Sequence, residues 1–132
     1  NALPVQSNTT RTNQNDTVVE YYMSSDNKTW YRKWASGWKE CGVYTTATIN
    51  PPANGANKEV TPALALPITF SNTQYTIMLQ NSWENDFGHR YFWSTDKSAV
   101  TVNTIPLVIV ACTNATLPNT TKVGCFVYCC GY

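Results

Sequence analysis

The stretch from Trp30 to Gly42 reads Trp-Tyr-Arg-Lys-Trp-Ala-Ser-Gly-Trp-Lys-Glu-Cys-Gly and is nearly symmetric about Ala35-Ser36-Gly37. Alternation with a period of two places Trp30, Arg32 and Trp34 on one strand face, and Trp38, Glu40 and Gly42 continue it on a return strand. A three-residue loop with glycine last fits a type I turn closed by a left-handed residue. That hairpin pairs Trp34 with Trp38, Arg32 with Glu40 and Trp30 with Gly42. An aromatic or opposite-charge cross-strand pair contributes about 0.2–1 kcal/mol. On the opposite face Tyr31 meets Cys41 and Lys33 meets Lys39. Indoles on one sheet face are expected to pack as core, with ligand stacking by one of them as the alternative. Trp30, Arg32, Trp34, Gly37, Trp38 and Glu40 are therefore read as structural. The lysine-bearing face is expected to reach water or a partner.

One domain is the natural reading of 132 residues. A net charge of +1 gives no electrostatic case for nucleic acid or for an anionic membrane. Asparagine and threonine supply 33 of the residues, and one favours turns while the other favours strands. The longest apolar run, Ile105 to Cys112, is far short of a membrane span. The chain begins at Asn1 without a methionine, as expected for a fragment of a longer polypeptide or a processed product.

Residues 1–17 are polar and aperiodic, as for an arm or linker, and residues 18–132 form the expected domain. Strands are predicted at Val18 to Met23, through the hairpin to Thr46, at Leu66 to Phe70, and at Tyr75 to Asn81. Further strands are predicted at Arg90 to Ser94, Ala99 to Thr104, Ile105 to Cys112 and Val123 to Tyr132. Prolines in Val60 to Phe70 mark an edge or an interruption. No helix is predicted. The expected fold is all-β, an antiparallel sandwich or jelly-roll-like head. Lys122 is the only charged residue from Ser98 to Tyr132, and Cys125 to Cys130 is apolar on both strand faces, which points to a central strand or a subunit interface.

Five cysteines, Cys41, Cys112, Cys125, Cys129 and Cys130, make an odd count that argues against a complete disulfide framework. Adjacent Cys129 and Cys130 point to opposite strand faces, which disfavours a shared metal. Buried free thiols are expected, and with them folding in a reducing compartment. Asn8, Asn15, Asn27, Asn114 and Asn119 each begin an Asn-X-Ser/Thr sequon. They would be glycan sites in a secreted protein, although a chain this rich in both residues forms several by chance.

The hairpin resembles the Y-R-x-W-x-x-G-W-x-E-x-G signature found near the C-termini of bacteriophage tail fibres. It is matched here by Tyr31, Arg32, Trp34, Gly37, Trp38, Glu40 and Gly42. Pro62 to Tyr75 and the ending Tyr128-Cys129-Cys130-Gly131-Tyr132 are similar to that family more weakly, while Cys41 departs from the polar residue often found there. The resemblance implies a homotrimeric all-β head at a fibre tip. It also implies recognition of a bacterial surface receptor, a place in the virion, and folding in the bacterial cytoplasm.

Residue chemistry favours binding over catalysis. His89 is the only histidine, and no serine or cysteine joins it in a recognisable motif. No zinc spacing, phosphate-cradling loop or dinucleotide fingerprint is present, so neither enzyme activity nor a cofactor or metal is expected. Three copies of His89 on a threefold axis are the one arrangement that would suit a transition metal. Trp83, Glu84, Asn85, Asp86, His89, Arg90 and Tyr91 offer aromatic faces, carboxylates, an amide and a guanidinium in one loop, which suits a sugar or a surface receptor. The competing reading of this loop is that Trp83 and Phe87 only cover a sheet end. At the level of the whole domain, the alternatives are a structural trimerisation or capping unit and a secreted glycan-binding protein unrelated to phage. No nucleic acid and no membrane insertion are expected.

Overall fold

In a computed structural model the chain is described over residues 16–49, 58–60, 62–83, 91–111 and 121–132. Its strands are β1 (Val18–Met23), β2 (Thr29–Trp34), β3 (Lys39–Ile49), β4 (Lys58–Val60), β5 (Leu64–Ala65), β6 (Thr76–Trp83), β7 (Tyr91–Thr95), β8 (Thr104–Ile105), β9 (Leu107–Ala111) and β10 (Thr121–Gly131). All pairings are antiparallel. The largest sheet has the order β1-β2-β3-β10-β6. A three-stranded sheet β4-β9-β7 and a two-stranded ribbon β5-β8 complete the set. The expected all-β class is the observed one, and the only helical turn among the described residues is a 3-10 turn at Lys97–Ala99.

β3 and β10 form the spine, paired without interruption from Thr121↔Ile49 to Gly131↔Lys39. Alternation along them sends Cys41, Val43, Val123, Cys125, Val127 and Cys129 to the core. Trp93, Ile105, Leu107 and Ile109 come from the other strands, and Leu66, Ile68, Phe70 and Tyr75 fill the remaining space. Burying side chains of this size stabilises by about 1.5–3 kcal/mol each. The Phe70 and Tyr75 rings stack 4.2 Å apart.

The predicted hairpin forms in the predicted register, with Trp30↔Gly42, Tyr31↔Cys41, Arg32↔Glu40 and Lys33↔Lys39. Trp34 N donates to Trp38 O at 2.9 Å, and Gly37 sits at φ +88, the left-handed residue that the turn requires. Residues preceding β1 tie onto this loop, since Ala35 N donates to Thr17 O and Ser36 N donates to Asp16 Oδ1, both at 2.9 Å. The remainder of the expected arm lies outside the described residues.

The faces of the hairpin are the reverse of those expected. Tyr31 packs against the core beside Cys41, whereas Trp30, Arg32 and Trp34 lie on the outer face of the five-stranded sheet. The physical reason is charge. Arg32 and Glu40 occupy the indole-bearing face, and the opposed lysines leave the core at the sheet end. Lys33 Nζ donates to Glu20 Oε2 at 2.8 Å, and Lys39 Nζ donates to Thr69 O at 2.8 Å. The expected Trp34–Trp38 ring pair gives way to an edge-on contact of Trp38 with Tyr132, centroids 5.2 Å apart.

Two predicted strands are irregular. Leu66, Ile68 and Phe70 are buried, but the ladder stops at Ala65 because Pro67 interrupts it, and Leu66 N and Phe70 N donate instead to the carbonyls of Asn103 and Val102. In 99–104, side chains take over the backbone. Asp96 accepts from Ser98 N at 3.0 Å, and Thr101 Oγ1 accepts from Asn103 N and Thr104 N. Pro106 separates β8 from β9, whose Leu107, Val108 and Ile109 are buried between β4 and β7.

Candidate functional site

The loop singled out from sequence joins two layers of the fold. Trp83 is the last residue of β6 and pairs with Val123 in the five-stranded sheet. Tyr91 is the first residue of β7 and pairs with Ala111 in the three-stranded sheet. Glu84, Asn85, Asp86, His89 and Arg90 lie outside the described residues. What the fold supplies is the mount. Asn81 Oδ1 on β6 accepts from Trp93 N on β7 at 3.1 Å, so the strands on either side of the connection are joined directly across the layers. Loops carried on such a rigid base are where binding residues concentrate.

The second notable surface is the outer face of the five-stranded sheet, where sequence reasoning expected core packing. The Arg32 guanidinium carbon lies 5.1 Å from the Trp30 ring centroid and 5.9 Å from that of Trp34, between the two indoles. Arg32 Nη2 pairs with Glu40 Oε2 at 2.9 Å, and Tyr128 OH donates to Glu40 Oε1 at 3.2 Å. Partial burial, together with the neighbouring Cys130 and Glu40, holds the Tyr128 hydroxyl well above the usual tyrosine range. Across the same face Tyr44 and Phe126 have ring centroids 4.6 Å apart.

Two glycines let these rings lie flat on the strands. A Cβ at Gly42 would overlap the Trp30 indole, and one at Gly124 would meet the Tyr44 hydroxyl. The rings cover backbone that glycine leaves bare. Trp30, Tyr44, Phe126 and Tyr128 thereby border a cleft of about 190 Å³ floored by Gly42, with Lys28 at its edge. Phe126 is 51% exposed and Met78, across from Tyr128 on β6, is 55% exposed. β1 is exposed along its whole length, including Val18, Val19, Tyr21, Tyr22 and Met23. The Trp30–Gly42 pairing was legible in the sequence, whereas the placing of Gly124 beneath Tyr44 was not.

The described thiols are suited to packing. Cys41, Cys125 and Cys129 are buried and Cys130 is half-buried, all four as free thiols. Burial pushes the Cys125 thiol up to about 11. A hydrogen bond with Cys41, and then burial, raises Cys129 well above the ordinary thiol range. No group of three or more histidine, cysteine, aspartate or glutamate residues is placed to hold a metal ion among the described residues.

No known family profile matches the chain, and neither does any curated protein. Two solved structures resemble it. The structure of the P. aeruginosa R1 pyocin fiber comprising C-terminal residues 323-701 has a TM-score of 0.62 and 12% identity, with 88% of this chain and 29% of that one covered. The structure of an N-truncated R1-type pyocin tail fiber has a TM-score of 0.58 and 16% identity, with 88% of both chains covered. The chain thus spans under a third of the first structure's length. At such identities the likeness is one of fold. The antiparallel all-β architecture built on the Trp30–Gly42 hairpin is therefore a fold that this chain shares with R1 pyocin tail fibres.

Proposed function

We propose that the chain is the receptor-binding tip of a phage or phage-like tail fibre, acting without catalysis on a bacterial surface glycan or protein. The observation that carries this reading is the fold shared with two pyocin fibre structures over 88% of the chain. The hairpin signature, read independently from sequence, supports it. The receptor contacts are assigned to Trp83, Glu84, Asn85, Asp86, His89, Arg90 and Tyr91, which lie in or flank the β6–β7 connection. The working unit in this reading is a homotrimer carried on the virion. Exposed Val18, Val19, Tyr21, Tyr22 and Met23 on β1, with Phe126 and Met78, supply the apolar surface that a subunit contact would cover. Folding in the bacterial cytoplasm accords with the free thiols.

Adsorption of labelled protein to host cells tests the assignment. Trp83→Ala and Arg90→Ala are expected to abolish adsorption while leaving the solution mass of a trimer unchanged. Full adsorption by both variants would overturn the site, and a monomer at micromolar concentration would overturn the assembly. The same exposed apolar surface favours a second reading, in which the domain registers the fibre and a different domain binds the receptor. A trimeric preparation that adsorbs to no host cell would favour that reading.

A further inference from the structure

Beside the far end of β3 lies a cavity of about 260 Å³ that opens to the surface past exposed Thr46, Pro62 and Ala65. Thr45 and Ala47 of β3, Ala63 and Leu64 ahead of and within β5, Trp93 of β7 and Leu107 of β9 line it. Among the described residues that line it, none carries a charge. Thr45 stands on the same face of β3 as Cys41 and Val43, so alternation directs its hydroxyl to the core side. Trp93 is only 6% exposed, yet its indole N–H has no hydrogen-bond acceptor among the described residues. Buried donors are nearly always paired, so an unpaired indole in a cavity wall marks a place for an acceptor.

We propose that this cavity receives one neutral sugar unit of a bacterial surface glycan, a second contact separate from the β6–β7 connection. The proposal rests on the receptor-binding reading. A sugar hydroxyl accepts from the Trp93 indole N–H, and the Thr45 hydroxyl, which both donates and accepts, meets another. Ala47, Leu64 and Leu107 face the apolar C–H surface of the ring. The volume lies just below the range of drug-sized sites and suits one ring rather than a chain of them. The described walls offer no cation to an acidic sugar, and an unpaired carboxylate is costly to bury against them, so a neutral sugar is the better fit.

The test follows the Trp93 indole N–H signal by NMR in the full chain, titrated separately with glucose, galactose, rhamnose, N-acetylglucosamine and glucuronate. Trp93→Phe identifies the signal. At least one neutral sugar is expected to shift it saturably, with glucuronate inert. Ala47→Leu, which fills the cavity, should abolish the shifts. Thr45→Val, which is less demanding on the fold, should weaken binding about tenfold as read from the same signal. Failure of every neutral sugar to shift the signal, equal response to glucuronate, or unchanged binding in both variants would overturn the proposal. The outcome is separable from the tip reading. Sugar binding by a chain that adsorbs to no cell would sink the tip reading alone, and adsorption without any sugar response would sink the cavity alone.

Discussion

The indole of Trp30 lies across Gly42 so closely that no side chain fits between the ring and the β3 backbone. Gly42→Ala is expected to lower stability by about 1–3 kcal/mol, the usual cost of forcing an extra methyl into a packed contact. Removing the ring in a Gly42→Ala/Trp30→Ala double variant should recover part of that loss relative to additivity, because the two changes share one contact. Chemical denaturation of the four chains measures it.

Arg32 is held by two indoles and by Glu40. Its side chain is 41% exposed, so the ion pair itself contributes little, about 0–1 kcal/mol. Stacking adds about 0.5–1 kcal/mol at such a site. Arg32→Lys keeps the charge and loses the planar stacking, so it should cost about as much as Glu40→Gln, which keeps the stack and loses the pair. A charge-only role would leave Arg32→Lys indistinguishable from wild type in the same denaturation series.

Stability should fall on the acid side through Glu20. Hydrogen bonds from Lys33 and then Tyr31 hold its carboxyl below the usual range. A depressed carboxyl contributes stability that is present above its ordinary range and lost as the pH falls through its lowered value. The difference in denaturation midpoint between wild type and Glu20→Gln should therefore be visible at neutral pH and vanish in acid. A difference that persisted unchanged in strong acid would refute this origin.

The alkaline limb has the opposite sign. Burial raises Tyr75 to about 12 from 10.0 and Cys125 to about 11 from 9.0. Each contributes stability that is intact below the lower value and lost as the pH rises toward the higher one. The denaturation midpoint should decline from about pH 9 to pH 12. A Cys125→Val variant should decline less steeply over the lower part of that window.

Thiol accessibility follows from burial. In a Cys112→Ser background, only half-buried Cys130 should react promptly with a thiol reagent in native protein, and all four described thiols should react in denaturant. Prompt native labelling of Cys41, Cys125 or Cys129 would contradict the packing described.

Much of this architecture was legible because alternation and turn chemistry are local. The Arg32–Glu40 register follows from a loop of known length ending in Gly37, and β6 follows from period-two patterning. The facing of the hairpin was not legible. Tryptophan and cysteine are both apolar, and a single sequence does not say which side of β3 meets β7 and β9. Charge held the answer, since Arg32 and Glu40 stand with the indoles. The strand expected over 99–104 failed because Asp96 and Thr101 bond to their own backbone neighbours. Of the candidate sites, the loop stood out in the sequence by its density of polar and aromatic residues. The cavity beside Trp93 was not found, because its walls come from four strands far apart in sequence.

The pairing of β3 with β10 sets the order in which this chain becomes a structure. Cys41 meets Cys129 and Lys39 meets Gly131 across the middle of the main sheet. The hairpin can close early, but its inner edge has no neighbour until the last described strand has been made. The longest ladder therefore joins strands far apart in sequence, and the search for that distant partner sets the pace of folding. Deleting residues 121–131 would remove an inner strand of the sheet rather than trim its rim.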